Sequence, residues 1–255
     1  MSPLEILGLL ASAAAAGVIN AVAGGGTMLT FPTLLLFGSA YKVANATSST
    51  ALFLGTAGGI FGYRRQLAAV RPWLIRFVPV SILGGTAGSW LLTHTSDQTF
   101  ARIVPFLLLF ATILFLSQGL LRRAAGLRDH APSRAAIWGG IAFQLGVAVY
   151  GGYFGAGIGI LMLASLGLIG LRDIHEMNAL KTVLASLINL VATIVFLFND
   201  LVDWPRAGIM TLGALLGYFI GSHFSQRIPQ AWVRRIITGV GFILSTVTFY
   251  KAFLK

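Results

Sequence analysis

Residues 23 to 32 read AGGGTMLTFP, and the three consecutive glycines Gly24, Gly25 and Gly26 interrupt a run that is otherwise apolar on both sides. Glycine lacks a Cβ, reaches backbone conformations closed to other residues, and costs about 1 kcal/mol per residue inside a helix. Three in succession end a helix. Apolar sequence resumes at Thr27, so the stretch predicts a helix, a glycine break and a short second helix. A weaker echo, GAGIG at Gly155 to Gly159, stands 131 residues downstream. A helix start presents backbone N–H groups and the positive end of the helix dipole, and both favour anions. Two such starts, one in each half, predict a shared anion site of the kind built where broken membrane helices meet.

The chain around these breaks has 255 residues, 56% of them hydrophobic and only 10% charged, with 31 glycines. No soluble globular domain has that balance. Apolar segments fall at 4–23, 27–38, 43–63, 74–93 and 99–121, then at 135–150, 156–171, 177–198, 207–225 and 231–250. Most approach the roughly 20 residues that cross about 30 Å of hydrocarbon. The segments after the glycine breaks are shorter, and residues 27–38 cover only about 18 Å as helix, too little to cross alone.

The halves repeat at offsets of 131 to 133: Gly24 and Gly26 with Gly155 and Gly157, Trp73 with Trp204, Asn45-Ala46 with Asn178-Ala179, Phe100 with Trp232, Arg102 with Arg234, and Gly84-x-x-x-Gly88-Ser89 with Gly217-x-x-x-Gly221-Ser222. The fold expected is an all-α polytopic membrane protein made of two inverted repeats of about five helical segments each. Its short half-helices fall at 24–38 and 155–171. Residues 1–121 form the first repeat, 122–134 a cytoplasmic linker and 135–255 the second repeat. The N-terminus carries Glu5 and no basic run, and is read as a retained first span.

Loop charge bears on orientation, since Lys and Arg gather in short cytoplasmic loops. With ten alternating segments one side holds twelve basic residues, among them Arg64, Arg71, Arg76, Arg134 and Arg235; the other holds five, Lys42, Arg102, Arg206, Lys251 and Lys255. An eight-span alternative with parallel repeats gives eleven against six. Five segments per half are preferred because only an odd number inverts the repeats and lets the two breaks meet at the midplane. The net charge of +11 thus reflects cytoplasmic loops. Nucleic acid is not an expected partner, because no basic run interleaved with aromatics lies outside the apolar segments.

Lys181 is the only basic side chain well inside a predicted span. Placing it there costs about 2.5–3.5 kcal/mol on insertion scales, so either it has a functional partner or it snorkels to the nearby surface. The seven carboxylates all fall near segment ends or in loops, and an anionic substrate is the natural counter-charge. The polar run Asn45 to Thr50 occupies the position equivalent to Asn178–Lys181, and its amide and hydroxyls either hold oxyanion oxygens or cap and pack helices. Gly84–Gly88 and Gly217–Gly221 match the small-x-x-x-small pattern of close helix contact. They serve inside one chain or in a homodimer. Asn20 and Asn189 also lie within spans, as packing residues or as part of a pathway. There are no cysteines and the four histidines are scattered, so neither a metal site nor a cofactor is expected.

AGGGTMLTFPTLLLFG followed by ANATSST, with GAGIGILMLASLG followed by NALKTVLASLINL in the second half, resembles the TauE/SafE family of membrane permeases, known as exporters of sulfite or organosulfonates. The resemblance covers essentially the whole chain, and the matching positions are Gly24, Gly25, Gly26, Pro32, Thr47, Ser48, Asn178 and Lys181. Leu163 stands where the first half has Pro32, so the second break is expected to be less sharp. The function expected is a secondary transporter, an exporter of a small sulfur-containing anion such as sulfite or sulfoacetate, multi-pass in a bacterial inner membrane. Its substrate site is expected at Gly24, Gly25, Gly26, Thr27, Asn45, Thr47, Ser48, Gly155, Gly157, Asn178 and Lys181. The alternatives are a membrane-embedded enzyme, for which no nucleophile–base pair is visible, and a non-transporting subunit of a membrane complex.

Overall fold

The computed structural model describes residues 1–22, 24–60, 63–64, 66–125, 134–168, 171, 173–224 and 230–254. Most of the linker between the halves, residues 126–133, lies outside them. The described residues form ten helices and no strand: α1 (Pro3–Val22), α2 (Thr27–Leu36), α3 (Tyr41–Ile60), α4 (Leu67–His94), α5 (Asp97–Ala125), α6 (Arg134–Tyr153), α7 (Ile158–Leu168), α8 (Ile174–Leu197), α9 (Trp204–Phe224) and α10 (Gln230–Phe253). Five of them are long and apolar enough to cross a membrane. Large apolar side chains such as Leu83, Trp138 and Phe219 stand exposed around the outside, as a lipid-facing surface requires. The chain is a multi-pass, all-helical membrane protein.

Several boundaries move outward from the sequence expectation, those of α4 and α8 among them. Helix α4 starts at Leu67 rather than 74 and carries both Pro72 and Pro79 inside it. Membrane helices tolerate proline because neighbours satisfy the freed carbonyls. Helix α8 starts at Ile174 because Asp173 caps it, accepting from the N–H groups of His175 at 2.7 Å and Glu176 at 3.3 Å. Helix α3 is not among the five apolar spans. Its run Asn45 to Thr50 is entirely buried, so protein rather than lipid surrounds it and an apolar surface is not needed.

The packing repeats with the sequence. Helix α1 packs on α9 as α6 packs on α4; α3 packs on α9 as α8 packs on α4, and α5 on α7 as α10 on α2. Helix α3 also packs on its own counterpart α8, and α5 on α10. The glycine motifs make the closest approaches. Gly217 and Gly221 lie against Ala14 and Val18 of α1, and Gly84 and Gly88 against Leu145, Ala148 and Val149 of α6. These faces are therefore occupied within one chain, not left open for a homodimer.

Helix directions follow from contacts at the ends. Arg206 at the start of α9 binds Glu5 at the start of α1 (2.8 Å), Ser39 Oγ (2.9 Å) and Phe37 O (2.9 Å) just before α3, so α1, α3 and α9 begin at one end of the molecule. At that same end Lys42 donates to Asp97 and to Thr93 O, where α4 finishes, and Tyr153 at the end of α6 reaches Thr95. Helix α1 and its counterpart α6 thus run in opposite senses. So do α5 and α10, in which Ser245 donates to Pro105 O and Phe106 packs on Phe249 and Phe253. Lys42, Arg206 and Lys251 share this end, while Arg64, Arg71, Arg134 and Arg235 lie toward the other.

Arg206 also pairs with Asp203 at 3.2 Å, which makes it the knot of α1, α2, α3 and α9. Its side chain is largely buried, so Arg206→Ala leaves Glu5 without its partner and the Phe37 carbonyl without a donor. The expected loss is about 3 kcal/mol, read as a fall in thermal stability in detergent. Glu5→Gln, which keeps an acceptor for the guanidinium, should lose less.

Candidate functional site

Both helix breaks close in the same way. The Gly24 N–H donates to Ile19 O at 3.0 Å and the Gly155 N–H to Tyr150 O at 3.2 Å, each bond one residue longer than a helical one and 131 residues from its counterpart. Gly24, Gly25, Gly155 and Gly157 have φ of 78°, 112°, 84° and 80°, the left-handed region that glycine occupies without strain. The second break is thus as sharp as the first, contrary to the expectation from Leu163. A proline at that position lies inside the short helix that follows and does not shape the turn before it. Helix α2, about 15 Å long, runs from its break to the Arg206 end, and α7, about 16 Å long, runs from its break toward the opposite end. The breaks therefore meet in the interior, where a Cβ on Gly24 would come within 3.1 Å of Gly159 Cα.

Beside this junction lies a cavity of about 40 Å³, lined by residues of both breaks and of α1, α3, α8 and α9. Space of that size holds about three waters, the scale of one small oxyanion. Gly24, Gly25, Thr27, Gly155 and Lys181 line it, so the structure gathers five of the eleven expected residues. Lys181 is 3% exposed and donates to Asn178 Oδ1 at 3.0 Å. Asn178 therefore touches the ammonium from behind rather than the cavity. Among the described residues the lining holds this one cation and no carboxylate.

The other five lie elsewhere, each with a packing contact. Gly26 rests on Ala16 of α1, and Gly157 faces Ala111 and Leu114 of α5. Asn45 donates to Tyr153 O at 3.1 Å. Thr47 accepts from the Asp203 N–H at 3.0 Å, and Ser48 pairs with the Thr30 hydroxyl, tying α3 to α2. In this structure the polar run of α3 is a seam toward the Arg206 end. Beyond it Phe31, Phe100, Tyr153 and Phe154 pack edge to face and fill that side of the junction.

Asn20 and Asn189 also line the cavity, with Thr56, Thr182 and Tyr218, which sequence reasoning passed over. Thr182 is 2% exposed, with the Tyr218 hydroxyl beside it. A signal for Thr56 existed: it is the counterpart of Asn189 at the 133-residue offset, as Leu52 is of Ala185, and both of these line the cavity too. Tyr218 had none, since its counterpart is Gly85.

A family model described as "Sulfite exporter TauE/SafE" matches residues 9–248. The chain belongs to the TauE/SafE family. Among curated relatives it is 25% identical to a "Probable membrane transporter protein" of Haemophilus influenzae, over 92% of this chain and 91% of the relative. It is 27% identical to the "Probable membrane transporter protein YfcA" of Escherichia coli K12, over 99% and 92%. It is 26% identical to the "Probable membrane transporter protein ORF9" of Sinorhizobium sp, over 93% and 89%. No solved structure matches the chain. A TauE/SafE chain with nearly full-length likeness to proteins named as transporters is a membrane permease.

Proposed function

We propose that this permease is a secondary transporter that exports a small sulfur-containing oxyanion, sulfite or an organosulfonate such as sulfoacetate, across a bacterial inner membrane. One observation carries the reading: at the junction of the two breaks a cavity sets the buried Lys181 ammonium beside amides and hydroxyls, with no acid in its lining among the described residues. In a low-dielectric interior such a set stabilises an anion, and helix starts add about 0.3–2 kcal/mol each.

The opposed helix directions support inverted repeats, and the positive-inside rule puts the end with Arg64, Arg71, Arg134 and Arg235 in the cytoplasm. The cavity lies on that side of the junction, with Lys181 in the first half of α8 and Tyr218 in the second half of α9, while aromatic packing fills the other side. This is the arrangement of an inward-open or inward-occluded state, and exchange of the two half-environments around the breaks would supply the outward one.

The test is thermal stability of the detergent-purified protein against sulfite, sulfoacetate, taurine, thiosulfate, sulfate and phosphate. A ligand at 100 times its dissociation constant adds about 2.7 kcal/mol. A selective shift with a sulfur oxyanion is expected; no shift with any anion would overturn the proposal.

A further inference from the structure

Helix α2 is too short to cross the bilayer, and on the flank it shares with α5 and α10 it leaves a second cavity, of about 310 Å³. On the scale by which the first cavity holds three waters, this one holds about twenty, the room of an acyl chain. Its floor is Phe31, Pro32 and Leu108, all buried, and on its rim Leu36, Val247 and Lys251 stand exposed.

The lining is graded along the helices. Lys251, in the last turn of α10, and the hydroxyls of Ser39 and Tyr41 lie at the Arg206 end. Ser39 Oγ accepts from Arg206 at 2.9 Å and keeps its own O–H to donate. Leu244 lies about 10 Å deeper on α10, and Phe31 stands deeper on α2 than Leu36. The Thr248 hydroxyl in between donates to Leu244 O at 2.7 Å, within its own helix. Lys251 is the one charged group among the described lining residues. Asp97 lies near Tyr41 but outside the lining, where it accepts from the Lys42 N–H at 2.9 Å.

A cation and two hydroxyls above an apolar slot match an amphiphile with an anionic head and a hydrocarbon tail. Water would find few polar partners in the slot, and a small hydrophilic anion would leave its apolar walls unused. We infer that this groove is a site for an anionic phospholipid of the surrounding membrane, with its phosphate on Lys251, Tyr41 and Ser39 and one acyl chain between α2, α5 and α10. The chain rests on Phe31, whose ring packs at 5.4 Å on that of Phe154, so the lipid braces the short helix beside the junction. The inference does not depend on which anion the central cavity takes.

The experiment measures binding of palmitoyl-oleoyl phosphatidylglycerol, and of phosphatidylcholine with the same chains, to the full chain in detergent by native mass spectrometry. Wild type should bind one phosphatidylglycerol about fivefold more tightly than phosphatidylcholine, the gain that one basic residue gives at an anionic surface. Lys251→Gln should bind the two lipids equally. Val247→Trp, which fills the groove from its exposed rim, should weaken both at least threefold. Arg102→Gln, which removes an exposed basic residue near the start of α5 and outside the lining, should keep the wild-type preference. Equal binding of the two lipids by wild type overturns the inference. So does a preference lost as fully in Arg102→Gln as in Lys251→Gln, which would mark diffuse surface charge, or wild-type binding by Val247→Trp, which would place the lipid elsewhere. A protein that no sulfur anion stabilises overturns the transporter reading and leaves this site standing.

Discussion

Lys181→Ala should abolish anion-dependent stabilisation while leaving a folded protein. The ammonium is the one full positive charge on the cavity wall, and it is held in place by Asn178 Oδ1 at 3.0 Å. Removing one member of a buried, hydrogen-bonded charge pair costs about 2–5 kcal/mol, so affinity should fall by a factor of about 30 or more, and further for a dianion than for a monoanion. Without anion the variant sheds the cost of burying a charge, so its own melting temperature should not collapse. Asn178→Ala, which releases the ammonium without removing it, should weaken binding less. Equal stabilisation of wild type and Lys181→Ala by every panel anion would take Lys181 out of the site.

The second large effect lies far from the cavity. A Cβ on Gly217 would overlap the carbonyl oxygen of Ala14, and because the obstacle is backbone, no rotamer change relieves it. Gly217→Leu should force α9 off α1, separating the helices that Arg206 joins at their starts. A loss above about 3 kcal/mol is expected, read as failure to recover monodisperse protein from detergent. Gly208 on the same helix has nothing within 4 Å of its Cβ position. Gly208→Ala should therefore be neutral or stabilising by up to about 1 kcal/mol, which separates contact from helix propensity. A Gly217→Leu protein as stable as Gly208→Ala would contradict the packing described.

The parts of this architecture that were legible in the sequence are those fixed by backbone chemistry. Three glycines before Thr27 announce a break whatever surrounds them, and the 131-residue echo announces its partner. A lysine four residues into the apolar segment 177–198 announces a charge that has a functional partner or snorkels, and the structure shows it 3% exposed. What was not legible depends on which way a helix faces. The run Asn45 to Thr50 has the composition of an oxyanion site, but all six residues are buried against protein, and periodicity cannot tell a cavity-facing hydroxyl from one facing a neighbour. Thr47 meets the Asp203 amide from 156 residues away, a contact that only tertiary packing creates. Asn20 was visible as a polar residue in a span, but its task, accepting from the Gly25 and Gly26 N–H groups, depends on the turn that brings them back over it. The start of α8 could have been found, since Asp173 followed three residues later by Glu176 is a capping pattern.

The central claim is that this chain alone moves a sulfur oxyanion through the junction of its two breaks. The most direct measurement is flux of radiolabelled sulfite in proteoliposomes made with the purified protein, against empty vesicles and against vesicles with Lys181→Ala. Saturable flux well above empty vesicles, lost in the variant, is the predicted result. Wild-type vesicles no more permeable than empty ones to sulfite and to every other sulfur anion of the panel would contradict it.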